Sequence, residues 1–227
     1  VVVVALREIG VTLRSGLAPL TSRIPLPKAQ PKAGFVPVVL VHGYLGHPEM
    51  LLPLARKLLE AGAPAVHRVS FPSTVWQFER IVEHIAHETR NVAQAHGTSV
   101  DLVGHSLGAL ASRAWLKLFD GHRWVRRFVS LGGPHGGTAL HKIVPSPVRD
   151  AFDPEGFWVQ RVSEGDEPVP TTNVRARYDH QVYPPQNAVI PGADEVVVDA
   201  WGHNGLLWSG EAHEAVVEAL YTCPEDR

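Results

Sequence analysis

Little in this chain of 227 residues supports covalent cross-linking, membrane spanning or binding to a polyanion. Cys223 is its only cysteine, which excludes an intrachain disulfide and a metal centre built on several cysteines. No stretch approaches the roughly 18 apolar residues that a spanning helix requires. The apolar start Val1–Leu6 is shorter than the core of a signal peptide and has no basic segment ahead of it. Lysine plus arginine (21) nearly balances aspartate plus glutamate (23), and no basic stripe carries interleaved aromatics. Nucleic acid is therefore not an expected partner. These absences leave both a secreted and a cytoplasmic location open.

What is present reads as an ordinary folded α/β protein. With 44% hydrophobic and 19% charged residues, the chain has the makings of a full core. Leu6, Ile9, Leu13 and Leu17 recur at helical spacing with Arg7, Glu8 and Arg14 between them, which predicts an amphipathic helix. Pro19, Pro25, Pro27 and Pro31 follow, so residues 1–34 read as that helix and a Pro-rich connector. In residues 35–227, strands are expected near 38–41, 65–70, 100–103, 127–131, 171–178 and 195–199. Helices are expected near 49–61, 76–96, 106–119 and 211–221. Strands alternating with helices predict a mostly parallel central sheet with helices on both faces. Residues 139–168, rich in proline, glycine and charge, read as an irregular or short-helical excursion, either a small lid or a fixed wall, too short for a separate cap domain.

The chemistry centres on Gly104-His105-Ser106-Leu107-Gly108, which follows an apolar run. Gly-x-Ser-x-Gly between a strand and a helix is a nucleophile elbow: the chain turns sharply at the serine and lifts its hydroxyl clear of the sheet. A serine hydroxyl needs a base to take its proton, and histidine titrates near the working pH. A carboxylate then fixes the imidazole tautomer. Elbow enzymes place these groups in the order Ser, acid, His. His180, His203 and His213 lie well downstream of Ser106; His213 falls mid-helix and is expected at the surface. His203, in the glycine-flanked loop after the last strand, is the expected base. Asp179, at the end of the 171–178 strand, is the expected acid, with Asp199 the nearest competitor. The backbone N–H groups of Leu107 and Tyr44 are the expected oxyanion donors. Phe157 and Trp158 are candidates for an acyl pocket, because a polar excursion has little other use for adjacent aromatics. His42 is expected to brace the oxyanion loop and His135 to shape a turn. His84-Ile85-Ala86-His87-Glu88 matches neither His-Glu-x-x-His nor His-x-x-Glu-His and is expected to be a solvated helix face, so no metal is assigned.

With these residues placed, the chain resembles the α/β-hydrolase lipases, in particular the small bacterial triacylglycerol lipases and esterases without a large cap. The resemblance rests on Val39-Leu40-Val41-His42-Gly43, the Ser106 elbow, Gly133-Pro134-His135-Gly136-Gly137-Thr138 and Gly202-His203-Asn204-Gly205. It implies cofactor-free cleavage of a lipid-like or small acyl ester through an acyl-enzyme on Ser106, with transient contact at a lipid interface a further implication. Two rival readings stay open: an acyltransferase or thioesterase of the same fold, and a non-catalytic binding protein.

Overall fold

In the computed structural model, residues 25–144, 147–200 and 202–221 are described. The expected N-terminal helix lies outside them. Six strands form one sheet: β1 (Val38–Val41), β2 (Val66–Val69), β3 (Val100–His105), β4 (Val125–Leu131), β5 (Thr171–Ala176) and β6 (Asp194–Val198). Their spatial order is β2-β1-β3-β4-β5-β6, and every neighbouring pair is parallel. The helices are α1 (Leu52–Ala61), α2 (Phe78–His96), α3 (Leu107–Leu118), α4 (Phe157–Ser163) and α5 (Gly210–Tyr221).

The sequence of β1 shows why the sheet is covered on both sides. Its four residues Val-Val-Leu-Val are all fully buried. Side chains alternate across a strand, so Val39 and Val41 enter the core shared with α2 and α3. Val38 and Leu40 enter the opposite core, shared with α1 and α5. β-Branched runs of this kind belong to strands buried on both faces. The outer strand β6 is different: Asp194 and Glu195 are exposed, and Glu195 pairs with Arg175 of β5 at 2.7 Å. Charge on an outer strand discourages pairing with another sheet.

Strand order determines where a site can form. From β1 the chain crosses to β2 on one side, then returns to β3 on the other. This reversal opens a crevice beyond the carboxyl ends of β1 and β3. His42-Gly43 leaves β1 there, and Ser106 follows β3 there.

One residue differs from expectation. His213 is buried, and its Nε2–H donates to the Leu207 carbonyl at 3.0 Å. Helix α5 buries Ala212, Ala215, Val216, Ala219 and Leu220 as well, so its apolar arc is wide enough to take in the histidine. The excursion after β4 is short-helical, one of the two forms expected. Val148, Ala151, Phe152, Trp158 and Val162 all join the α2–α3 core. Its end is tied down by Glu167, which accepts from Arg113 at 2.6 Å and from Lys117 at 3.1 Å, all three side chains being buried.

Candidate active site

The turn at Ser106 is a strained one. Ser106 has φ 55° and ψ −123°, a backbone conformation that costs a non-glycine residue on the order of 1 kcal/mol or more. Neighbouring glycines make the turn possible. A Cβ on Gly104 would lie 2.6 Å from Ala109 Cα, and one on Gly108 would lie 2.3 Å from the His42 carbonyl oxygen. The close packing of α3 on the end of β1 thus depends on hydrogen in place of a side chain. The Ser106 N–H donates to the Leu131 carbonyl at 2.9 Å, holding the elbow against β4.

Leu107 opens α3, so its N–H belongs to the helix's unsatisfied first turn. Tyr44 follows His42-Gly43. Among the described residues neither N–H donates to another backbone group. The loop carrying Tyr44 is braced by His42, whose Nδ1–H donates to the Gly43 carbonyl at 2.9 Å while Nε2 accepts from the Phe71 N–H at 3.4 Å. The Phe71 ring also stacks on the imidazole at 4.2 Å. Burial pushes the His42 pKa down to about 4, so the ring works as a neutral strut.

His203 and Asp179 meet at the other side of the crevice. The Nδ1–H of His203 donates to Asp179 Oδ2 at 2.7 Å, both side chains being buried. The other carboxylate oxygen accepts the N–H groups of Gln181 at 2.8 Å and Val182 at 3.0 Å. Burial alone would raise the Asp179 pKa. The His203 charge and hydrogen bond, with the two N–H groups, outweigh it and hold the carboxyl below its ordinary value. Asp199, the competitor, is exposed and pairs with Arg177. His105 is buried with its ring centroid 5.0 Å from that of His203. Burial, then the His203 charge, lowers its pKa to about 3, which leaves it neutral beside His203.

Ser106 and His203 line one cavity of about 300 Å³, with Tyr44 at its wall. The rest of the lining is largely apolar: Leu45, Met50, Leu140, Val144, Phe152 and Val182. Phe157 and Trp158 lie elsewhere. Phe157 is largely exposed, and Trp158 lines a separate cavity with Trp115 and Phe119 between α2, α3 and α4. The reason is local: α4 turns Trp158 inward onto Phe78, leaving Phe152 to reach the Ser106 cavity against Tyr44. Leu140, Val144 and Phe152 come from the excursion after β4 and Val182 from the loop after β5, and no periodicity marked them. His135 shapes the turn after β4, within 2.7 Å of Ser130 Oγ and fully buried. His84 and His87 lie on an exposed face of α2. Among the described residues no group of three or more His, Cys, Asp or Glu side chains is placed to hold a metal ion, and no helix is long and apolar enough to cross a membrane.

Solved structures with this fold are numerous. The mature form of Bacillus licheniformis lipase BlEst2 is 18% identical, with a TM-score of 0.73 over 87% of this chain and 96% of that one. Aspergillus fumigatus lipase B is 20% identical, with a TM-score of 0.69 over 87% of this chain and 55% of the lipase. A structure of the metagenome-derived lipolytic enzymes LipS and LipT is 15% identical, with a TM-score of 0.63 over 85% and 96%. At these identities the likeness establishes the α/β-hydrolase fold. Among curated protein sequences none matches. A family model described as palmitoyl protein thioesterase matches residues 37–183, from β1 through the elbow to the Asp179 loop. The chain belongs to the palmitoyl protein thioesterase family, and with it to the hydrolases of the α/β-hydrolase superfamily.

Proposed function

We propose that this protein hydrolyses acyl esters and thioesters through an acyl-enzyme on Ser106. The observation that carries the reading is the placement of His203. It lines the same cavity as Ser106 and is held from behind by the buried Asp179 carboxylate at 2.7 Å. A base oriented in this way can work in both directions. His203 takes the Ser106 proton as Oγ attacks the acyl carbonyl, and the Leu107 and Tyr44 N–H groups stabilise the resulting oxyanion. The C–O or C–S bond then breaks, and the leaving oxygen or sulfur takes the proton from His203. Water, deprotonated by the same imidazole, attacks the acyl carbonyl; the C–O bond to Ser106 then breaks as Oγ takes the proton back from His203, and the acid is released. Asp179 stays ionised throughout and stabilises the imidazolium.

The apolar lining of Tyr44, Leu140, Val144, Phe152 and Val182 suits an aliphatic acyl chain, with the short helical turn Ala139–Lys142 contributing one wall or a small lid. No cofactor is required. A fluorophosphonate should label Ser106 in the folded protein and fail to label Ser106→Ala; absence of labelling in the wild type would favour a binding protein. The family description favours thioesters over oxygen esters. A matched pair carrying the same octanoyl group decides between them: equal turnover of both identifies a general esterase, and a strong thioester preference a thioesterase.

A further inference from the structure

Thr138 stands where two segments distant in the chain meet. It closes the run Gly136-Gly137-Thr138, is buried, and lines the Ser106 cavity. The short helical turn Ala139–Lys142 lies on one side of it, and the loop 179–183 on the other. A hydroxyl has one proton to give and two lone pairs to fill, and here all three are used. The Leu140 N–H donates to Thr138 Oγ1 at 3.3 Å, which caps the helical turn. The Tyr183 N–H donates to the same oxygen at 3.2 Å, and Oγ1–H donates to the Gln181 carbonyl at 2.7 Å.

Capping accounts for only the first of these bonds. The other two reach into the loop that carries Asp179, and one of them arrives at a particular peptide group. The carbonyl of Gln181 and the N–H of Val182 belong to one planar trans unit, in which they point in opposite directions. The carbonyl accepts from Thr138, and the N–H donates to Asp179 Oδ1 at 3.0 Å. Asp179 Oδ2 in turn accepts from His203 Nδ1–H at 2.7 Å. A single rigid plate therefore separates the Thr138 hydroxyl from the carboxylate that holds His203. Thr138 is itself anchored: its N–H donates to the Phe152 carbonyl at 2.8 Å, and the Ala139 N–H donates to the Tyr183 carbonyl at 2.8 Å.

We propose that Thr138 is a positioning residue for the reaction: through the Gln181–Val182 peptide, its hydroxyl fixes how the Asp179 carboxylate meets His203. The assignment rests on the reading of Ser106, Asp179 and His203 as the reacting groups. A carboxylate orients an imidazole only if it is itself held, and Asp179 stands on an irregular loop after β5. Hydrogen bonds in series polarise one another, so the Thr138 proton on the carbonyl makes the Val182 N–H a better donor to the carboxylate. Without the hydroxyl, the Gln181 carbonyl loses a buried partner and the peptide is free to tilt. Although Thr138 lines the cavity, this role concerns proton transfer and not the acyl chain. The loss on removing the hydroxyl therefore falls on kcat and does not depend on chain length.

Thr138→Val keeps the branched shape and removes the hydroxyl. On p-nitrophenyl octanoate its kcat should fall about tenfold, the kinetic equivalent of one hydrogen bond, with KM within about twofold. The loss on p-nitrophenyl acetate should be equal. Thr138→Ser, which keeps the hydroxyl, should restore kcat to within about threefold of the wild type. In an Asp179→Ala background the peptide has no carboxylate to hold, and there Thr138→Val should change kcat by less than about twofold. Thr138→Cys, whose thiol is a weak donor, serves if urea unfolding shows that Thr138→Val does not fold. An unchanged kcat, a loss confined to the octanoate, a loss of equal size in the Asp179→Ala background, or no recovery with serine would each overturn the proposal. If a fluorophosphonate fails to label Ser106 in the wild type, it is the nucleophile that is wrong, and the two failures are told apart.

Discussion

The two sides of the crevice are built by different means. On the β1–β3 side the backbone packs closely: Ser106 is forced upward by a turn that Gly104 and Gly108 allow, a Cβ on Gly43 would lie 2.7 Å from Ser106 Cβ, and α3 starts at once behind it. On the β5–β6 side, His203 and Asp179 are 24 residues apart and stand on loops, and a single 2.7 Å hydrogen bond joins them. The place of Ser106 is written into consecutive residues, whereas that of His203 depends on a meeting of loops. The strained backbone lies at Ser106, where α3 packs close on β1.

The sharpest way to break this comparison is to remove one group from each side. Ser106→Ala and His203→Ala should each lower kcat by at least about 10³-fold, and both variants should fold. Asp179→Asn should lose about 10²- to 10⁴-fold, because the amide no longer holds the reactive tautomer, while Asp199→Asn should stay within about twofold. Steady-state hydrolysis of p-nitrophenyl octanoate measures all four. A loss at Asp199 as large as that at Asp179 would transfer the orienting role to the exposed carboxylate.

Stiffness on the elbow side is tested by Gly108→Ala. The new methyl would have to displace the His42 carbonyl, only 2.3 Å away, and about 3 kcal/mol of stability should be lost in urea unfolding. A loss below about 1 kcal/mol would show that α3 can shift on β1.

Acid should weaken the same side. Folded His42 stays neutral down to about pH 4, whereas the unfolded chain takes up that proton near 6.5. Between these values the unfolded state binds more protons, so stability falls as pH drops through the window and is level above it. His42 alone accounts for about 3 kcal/mol across it, and urea titrations at successive pH values should show a flatter profile in His42→Phe. An unchanged slope would mean that other histidines, His105 or His135, dominate.

The smallest effect concerns the cavity wall. Phe152→Ala should reduce turnover of octanoyl relative to acetyl esters by roughly tenfold, as expected for losing an apolar contact worth 1–3 kcal/mol. Phe157→Ala should leave that ratio unchanged, since the ring lies outside the Ser106 cavity. The opposite pattern would return the acyl site to α4.

How much of this was legible in the sequence follows from how each feature is encoded. Strand and helix order could be read because β1 is a short apolar run, β3 is nearly one, and α2 carries helical apolar spacing, and the elbow because its residues are contiguous. Asp179 and His203 were reachable through chain order and their places after predicted strands, and the structure brings their side chains together. The cavity wall was not legible. Leu140, Val144, Phe152 and Val182 lie in irregular connections, where no period links sequence to facing, and adjacency of Phe157 and Trp158 said nothing about which way α4 would turn. His213 misled for a related reason: a polar residue within a wide apolar arc is carried inside and satisfied by the Leu207 carbonyl.

Leu45 has one more consequence. Its backbone sits where glycine is at ease and leucine is not, so exchange for glycine would relax the turn while removing one apolar wall of the Ser106 cavity. That cavity can therefore be widened at a single position without touching Ser106, His203 or Asp179.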